Sequence, residues 1–184
     1  MKTFTIIGGV NGTGKSSLTG VLKKTDKNLG RIIDVDKINI QYNNDIIEGG
    51  KAAIKLIDEC IEKGVCFTQE TTLSGHKTLK TIQKAIQYGY FIRLYYVGLD
   101  TLDESIKRIK NRVAKGGHNI PNESVIKRFN SRFEDITTVL PYCNEAVFYD
   151  NDNGFRVVAE YSNGELTILT TEIPNWISEL KEKL

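Results

Sequence analysis

The sequence predicts a three-layer α/β fold: a mostly parallel five-stranded sheet with helices on both faces, followed by a C-terminal β-hairpin and helix. Three observations carry this expectation. Apolar runs alternate with segments of helical period through residues 1–150, and units of that kind pair their strands in parallel. A glycine-rich turn separates the first apolar run from the first helical segment. Beyond Asp150 the period changes to two, in residues 155–161 and 165–170, and Ser162-Asn163-Gly164 between them signals a tight hairpin.

Each element has its own signal. Residues 3–7 read as a strand and 15–24 as the first helix; residues 31–35 are a second short strand. Residues 45–63 are helical, with Ile46, Ile47, Ile54, Ile57, Cys60 and Ile61 recurring at three- and four-residue steps as one apolar face. Gly64 ends that helix. Residues 65–69 form the third strand, 77–87 a helix stopped by Gly89, and 91–97 a fourth strand apolar enough to be buried on both faces. Thr101 and Glu104 make a capping box that opens a helix to about Lys115. Residues 122–139 are helical and Pro141 closes them; 146–149 are the fifth strand. An amphipathic helix, 176–184, follows Pro174. No linker interrupts the chain, so residues 1–184 read as one domain with a core of 1–150 and the tail 151–184 appended to it.

Composition narrows the function. The chain has 184 residues, 40% hydrophobic and 26% charged, which fits one ordinary globular domain. Its 25 basic and 23 acidic side chains leave a net charge of +2, without the field expected of a nucleic-acid or membrane-surface binder. Three scattered cysteines, Cys60, Cys66 and Cys143, suit neither a disulfide framework nor a four-ligand zinc site, so a reducing, cytoplasmic compartment is expected. The N-terminus is too short and too poor in apolar residues for a signal peptide, and no apolar run is long enough to cross a bilayer.

Gly9-Val10-Asn11-Gly12-Thr13-Gly14-Lys15-Ser16 matches G-x-x-x-x-G-K-[ST] in full, after a strand and at the start of a helix. This is the P-loop. Its glycines let successive N–H groups face inward as an anion nest, and the helix N-terminus adds partial positive charge. The motif predicts ATP and Mg²⁺ as cofactors. Gly9, Asn11, Gly12, Thr13, Gly14, Lys15, Ser16 and Ser17 form the cradle, Lys15 reaches the β and γ phosphates, and the Ser16 hydroxyl ligates the metal. No N-K-x-D element for guanine follows, and no apolar strand ending in Asp-Glu follows Leu73-Ser74-Gly75. A small-molecule or nucleotide kinase on the P-loop NTPase scaffold, of nucleoside-kinase type, remains.

Ligands of open parallel sheets lie beyond the carboxyl ends of the strands. The second strand ends in Asp34-Val35-Asp36, the third in Gln69-Glu70-Thr71-Thr72, the fourth in Gly98-Leu99-Asp100. If extended, Asp34 and Asp36 point to one side, with Asp36 further out toward a substrate. A kinase needs such a carboxylate to accept or orient the acceptor's proton, while Asp36 also suits a cap of the following segment and Glu70 a cap or an ion pair. Thr71, Thr72 and Ser74 add hydroxyls fit for a polar acceptor. Asp100, directly before Thr101, reads as structural.

Eight basic residues concentrate between 107 and 132. Arg108, Arg112 and Lys115 share one helix face, Arg128 and Arg132 lie one turn apart on the next helix, and Gly116-Gly117-His118-Asn119-Ile120-Pro121 forms the corner between them. Two arginine-bearing helices about a Gly-Gly hinge suit a lid that closes over ATP and stabilises the transferring phosphoryl group. His118 reads as fixing the corner.

These pieces together resemble the zeta-toxin-like P-loop kinases. The stretch with Arg112, Gly116-Gly117-His118-Asn119-Ile120-Pro121 and Arg128-Phe129 is similar to the family's R-V-x-x-G-G-H-x-[IV]-P…R-[FY] pattern. Asp34-Val35-Asp36 and Glu70-Thr71-Thr72-Leu73 fit as well, over residues 4–135. The resemblance implies a kinase that phosphorylates a sugar hydroxyl, with UDP-N-acetylglucosamine the first candidate acceptor and an antitoxin protein as partner. It assigns Asp36 as base, Glu70 and Thr72 to the acceptor, and Arg112 and Arg128 to the phosphates. The larger toxins carry an arginine where Ser74 stands. A regulatory ATP-binding switch without an acceptor and a polynucleotide-end kinase are the alternative readings of the residues.

Overall fold

The computed structural model describes all residues except 26, 27, 44 and 118. The strands are β1 (Thr3–Gly8), β2 (Arg31–Asp34), β3 (Phe67–Thr71), β4 (Phe91–Gly98), β5 (Glu145–Asp150), β6 (Arg156–Ser162) and β7 (Glu165–Ile168). The helices are α1 (Lys15–Lys24), α2 (Val35–Gln41), α3 (Ile46–Lys63), α4 (His76–Gln87), α5 (Leu102–Ala114), α6 (Asn122–Val139) and α7 (Asn175–Lys181). One sheet runs in the order β2-β3-β1-β4-β5-β6-β7. Its first five strands are parallel, as expected, while β6 and β7 add to it antiparallel. The hairpin therefore does not stand apart from the sheet but widens it to seven strands.

β1 is buried along its whole length at the centre of the five parallel strands, between β3 and β4. On one face Ile7, Tyr95 and Val97 pack with Leu18 and Leu22 of α1. On the other, a larger cluster joins Phe4, Ile6 and Phe67 to Ile57 and Ile61 of α3, Ile82 of α4 and Phe133 and Ile136 of α6. Burying each such side chain contributes about 1.5–3 kcal/mol, so both helical layers are held to the sheet by its alternating pleat.

Four local expectations need correction. The second strand does not reach Val35 and Asp36. It stops at Asp34, whose carboxylate accepts the N–H groups of Asp36 (3.1 Å) and Lys37 (3.3 Å) and so caps α2. The cap is thus Asp34 and not Asp36, which lies in the first helical turn. The face of α3 also differs: Ile46, Ile47 and Ile54 are exposed, while Gly49, Ala53, Ile57, Cys60 and Ile61 are buried. The first half of α3 lies against α2, with Gly49 close on Asn39, and periodicity alone does not say that a close helix crossing selects small residues. The third strand starts at Phe67, because the Val65 N–H closes the end of α3 on the Cys60 carbonyl (2.9 Å) beyond left-handed Gly64. Finally, Thr101 does cap α5 through the Glu104 N–H, but the Glu104 carboxylate turns outward to Lys107 and Arg108, leaving half a capping box.

The tail docks through Trp176. Its main-chain N–H donates to Asp100 (2.8 Å) and its indole N–H to Asp150 (3.1 Å), and the ring is 1% exposed against Gly98, where a Cβ would run into it. Asp100 is structural, as expected, in capping the distant α7.

Candidate active site

The P-loop leaves β1 at the carboxyl end of the sheet and curls into α1. Gly12 sits at φ +81°, and a Cβ on it would stand 2.6 Å from the Ser105 carbonyl of α5, so a side chain there is excluded twice. Inside the curl, Thr13 is fully buried and donates to the Val10 carbonyl (3.0 Å). The Lys15 ammonium donates to the carbonyls of Gly9 (2.8 Å) and Val10 (3.0 Å). Gly9 and Thr13 thus shape the loop from behind, while Asn11, Gly12, Gly14, Lys15, Ser16 and Ser17 line a cavity of about 480 Å³. That size suits a small-molecule site.

Both neighbouring strand ends enter this cavity. Asp34, Val35 and Asp36 line it from β2 and α2; Gln69, Glu70, Thr71 and Thr72 line it from β3 and its end; Arg108 and Arg112 line it from α5 and Arg128 from α6. Every side chain expected at the catalytic or substrate position therefore lines one cavity. Electrostatics links them. Burial pulls the Lys15 ammonium down to about 8, opposed by the Glu70 and Asp36 carboxylates and reinforced by the Arg128 and Arg112 guanidiniums. The two acids and two arginines are thus all within electrostatic reach of one lysine.

Individual roles differ in geometry. Glu70 accepts the Ser16 hydroxyl (2.7 Å) on one oxygen and the Thr19 hydroxyl (2.6 Å) on the other, which holds it on the phosphate side of the cavity. Asp36 is exposed, and none of the hydrogen bonds among the described residues uses its carboxylate. Thr72 and Ser74 share a hydroxyl–hydroxyl bond of 2.9 Å. Arg128 donates to the Asn11 side-chain oxygen (2.9 Å), tying α6 to the P-loop. Arg108 lines the cavity beside Arg112 and also pairs with Glu104 (2.8 Å) and donates to the Asn151 and Asp152 carbonyls, bracing the β5–β6 connection. The expected role of His118 lies outside the described residues.

A Mg²⁺ ion fits this donor set. Ser16 and Glu70 put hard oxygens beside the phosphate cradle, and Mg²⁺ typically takes one or two protein oxygens together with substrate phosphates. Among the described residues no group of three His, Cys, Asp or Glu could hold a metal unaided. Nor is any helix long and apolar enough to cross a membrane.

Sequence reasoning missed four contributors. Thr19 lies one turn after Ser16 on α1, a spacing that could have revealed it. Lys77 lines the cavity from the first turn of α4. Asn151 donates its amide to the Thr13 carbonyl (2.8 Å), across 138 residues, with no sequence signal. Gln69 was named only as part of a strand end, with no role of its own.

Known proteins agree with this architecture. No family model matches the chain. An uncharacterized protein of Haemophilus influenzae is 32% identical over 126 residues, covering 66% of this chain and 88% of its own. Among solved structures, a chain of the AvrRxo1-ORF1:ORF2 complex crystallised with ATP superposes with a TM-score of 0.71 at 18% identity, over 100% of this chain and 63% of that one. This chain thus spans less than two thirds of that neighbour. A chain of the PezAT chromosomal toxin–antitoxin system of Streptococcus pneumoniae gives 0.64 at 16% identity, over 100% and 85%. Shikimate kinase from Bacteroides thetaiotaomicron gives 0.50 at 12% identity, over 80% and 86%. The chain belongs to one family with the Haemophilus influenzae protein, and its fold is that of the P-loop kinases that the zeta-toxin resemblance implied.

Proposed function

We propose that this protein is an ATP- and Mg²⁺-dependent kinase that transfers the γ-phosphoryl group to a hydroxyl of a small polar metabolite, UDP-N-acetylglucosamine being the first acceptor to test. The observation that carries this reading is the convergence of Lys15, Asp36, Glu70, Arg112 and Arg128 on one cavity. A simple ATP holder has no use for an open carboxylate opposite the phosphate cradle.

In this reading the P-loop amides and Lys15 hold the β and γ phosphates, and Ser16, kept in place by Glu70, faces the metal. Mg²⁺, when bound, neutralises charge on the phosphate oxygens. Asp36 accepts the proton of the acceptor hydroxyl as that oxygen bonds to the γ-phosphorus and the bond to ADP breaks. Arg112 and Arg128 neutralise the charge that spreads over the transferring group. Thr72 and its partner Ser74 present hydroxyls to the acceptor, and Lys77 offers a cation to a diphosphate. The AvrRxo1 and PezAT neighbours, named as a complex and as a toxin–antitoxin system, support a protein partner of antitoxin type. The expected cytoplasmic location belongs to the same proposal.

The test is to incubate the protein with ATP, Mg²⁺ and a pool of nucleotide sugars and nucleosides and to follow masses. A gain of one phosphate on a pool member is expected. Slow hydrolysis of ATP that no pool member alters would overturn the reading.

A further inference from the structure

We propose that Gln69 is a specificity-determining residue that reads a neutral hydrogen-bonding group, a hydroxyl or an amide, on the acceptor. This rests on the kinase reading above.

Gln69 stands on β3 one residue before Glu70, but the strand alternates its side chains. Glu70 turns to α1, where it meets Ser16 and Thr19. Gln69 shares the opposite face with Phe67 and with Thr71, whose hydroxyl pairs with Thr78 of α4 (3.2 Å). Its neighbours across the sheet are Ile6 on β1 and Ile33 on β2, both almost completely buried in the apolar core. Gln69 itself is only 9% exposed, and its side-chain oxygen has no hydrogen-bond partner. Three other described side chains have such an orphaned atom, Thr5, Asn39 and Arg132, and none of them lines the cavity.

A carboxamide among isoleucines is a poor choice for packing, since a buried polar group without a partner destabilises the fold. Methionine or leucine would fill the place without that penalty. The group lines the same cavity as Asp36, Glu70 and Thr72, the side chains assigned to the acceptor. A ligand there can supply the missing bond. The carboxamide offers an acceptor at one end and donors at the other, and rotation about its last torsion presents either. It carries no charge, and its two sheet neighbours are apolar, so the ligand group it meets is neutral. Charged parts of an acceptor belong nearer Lys77.

The experiment compares wild type with Gln69→Met and Gln69→Leu in two measurements. One is thermal unfolding without ligands. The other is kcat/KM for whichever of UDP-N-acetylglucosamine, UDP-glucose and the four ribonucleosides the wild type phosphorylates. Both variants are expected to melt higher, by about 2–4 °C for a chain of this size, and to lose at least tenfold in kcat/KM, mainly through a raised KM. A lower melting temperature in both variants, or an unchanged kcat/KM, would overturn the inference. A wild type that phosphorylates none of these probes would instead overturn the kinase reading, and this inference with it.

Discussion

Ser16 and Glu70 are 54 residues apart in the chain and 2.7 Å apart in space, hydroxyl to carboxylate. The parallel pairing of β1 with β3 brings them together, since Gly8 lies beside Thr71 and the P-loop leaves from that rung. Substituting Glu70 tests this contact. Glu70→Gln keeps one acceptor oxygen and removes the charge. Phosphoryl transfer is expected to fall by about 10–100-fold, and the Mg²⁺ concentration for half-maximal rate to rise. The measurement is a Mg²⁺ titration of initial rates.

Asp36→Asn should remove the proton acceptor without disturbing the α2 cap, which belongs to Asp34. Transfer should drop by about 10²–10⁴-fold, the usual contribution of a general base. ATP affinity should hold or improve slightly, because one negative charge leaves the cavity. Calorimetric ATP binding beside a product assay separates the two, and a variant with wild-type kcat would remove Asp36 from the mechanism.

Lys15 predicts a pH signature. Its ammonium is drawn down to about 8 by burial, against 10.5 for an ordinary lysine. Between those two values the unfolded chain holds the proton and the folded chain does not, so this side chain makes ligand-free stability rise with pH. ATP favours the charged form, so binding near pH 8 should take up protons and weaken as pH climbs past it. Calorimetry in buffers of differing ionisation enthalpy reads that uptake directly, and Lys15→Met should abolish it.

Arg112 of α5 and Arg128 of α6 should separate kinetically. Arg128 holds Asn11 in the P-loop (2.9 Å), so Arg128→Ala should raise KM for ATP as well as lower kcat. Arg112→Ala should lower kcat more than it raises KM, the mark of an interaction made in the transition state. Steady-state kinetics with ATP varied at a saturating acceptor concentration distinguishes these patterns.

Trp176→Ala should destabilise the fold by about 3–5 kcal/mol, the range for deleting a buried large aromatic. Its indole is 1% exposed and donates to Asp150, itself only 6% exposed, which would be left without that bond. Urea unfolding measures the loss, and a change below about 1 kcal/mol would mean that α7 is only loosely docked.

The sequence revealed most where local chemistry and tertiary structure agree. The P-loop is one contiguous run with obligatory glycines, so its place and shape were legible. The helix at Thr101 announced itself through its cap, and the hairpin through Asn163-Gly164. The misreadings arose where a contact from elsewhere in the chain decides. Ile46, Ile47 and Ile54 have helical spacing, yet the crossing of α2 chose Gly49 for the interface and the buried face continues through Ala53. Asp34 ends its strand and at the same time caps a helix, because its carboxylate captures two N–H groups just ahead, so the strand does not run on to Val35 and Asp36. Thr19, Gln69, Lys77 and Asn151 are ordinary residues in sequence and become notable only once the sheet order is known.

The Asn151–Thr13 and Arg108–Asn151 bonds give the C-terminal strands a part in shaping the nucleotide loop. The cavity's opposite wall, from β2–α2 and β3–α4, shares neither of these braces. Apart from Glu70, which holds Ser16, changes of side chain on that wall can therefore accumulate without loosening the P-loop, and in the proposed kinase a lineage could exchange one alcohol for another while its phosphate donor stays the same.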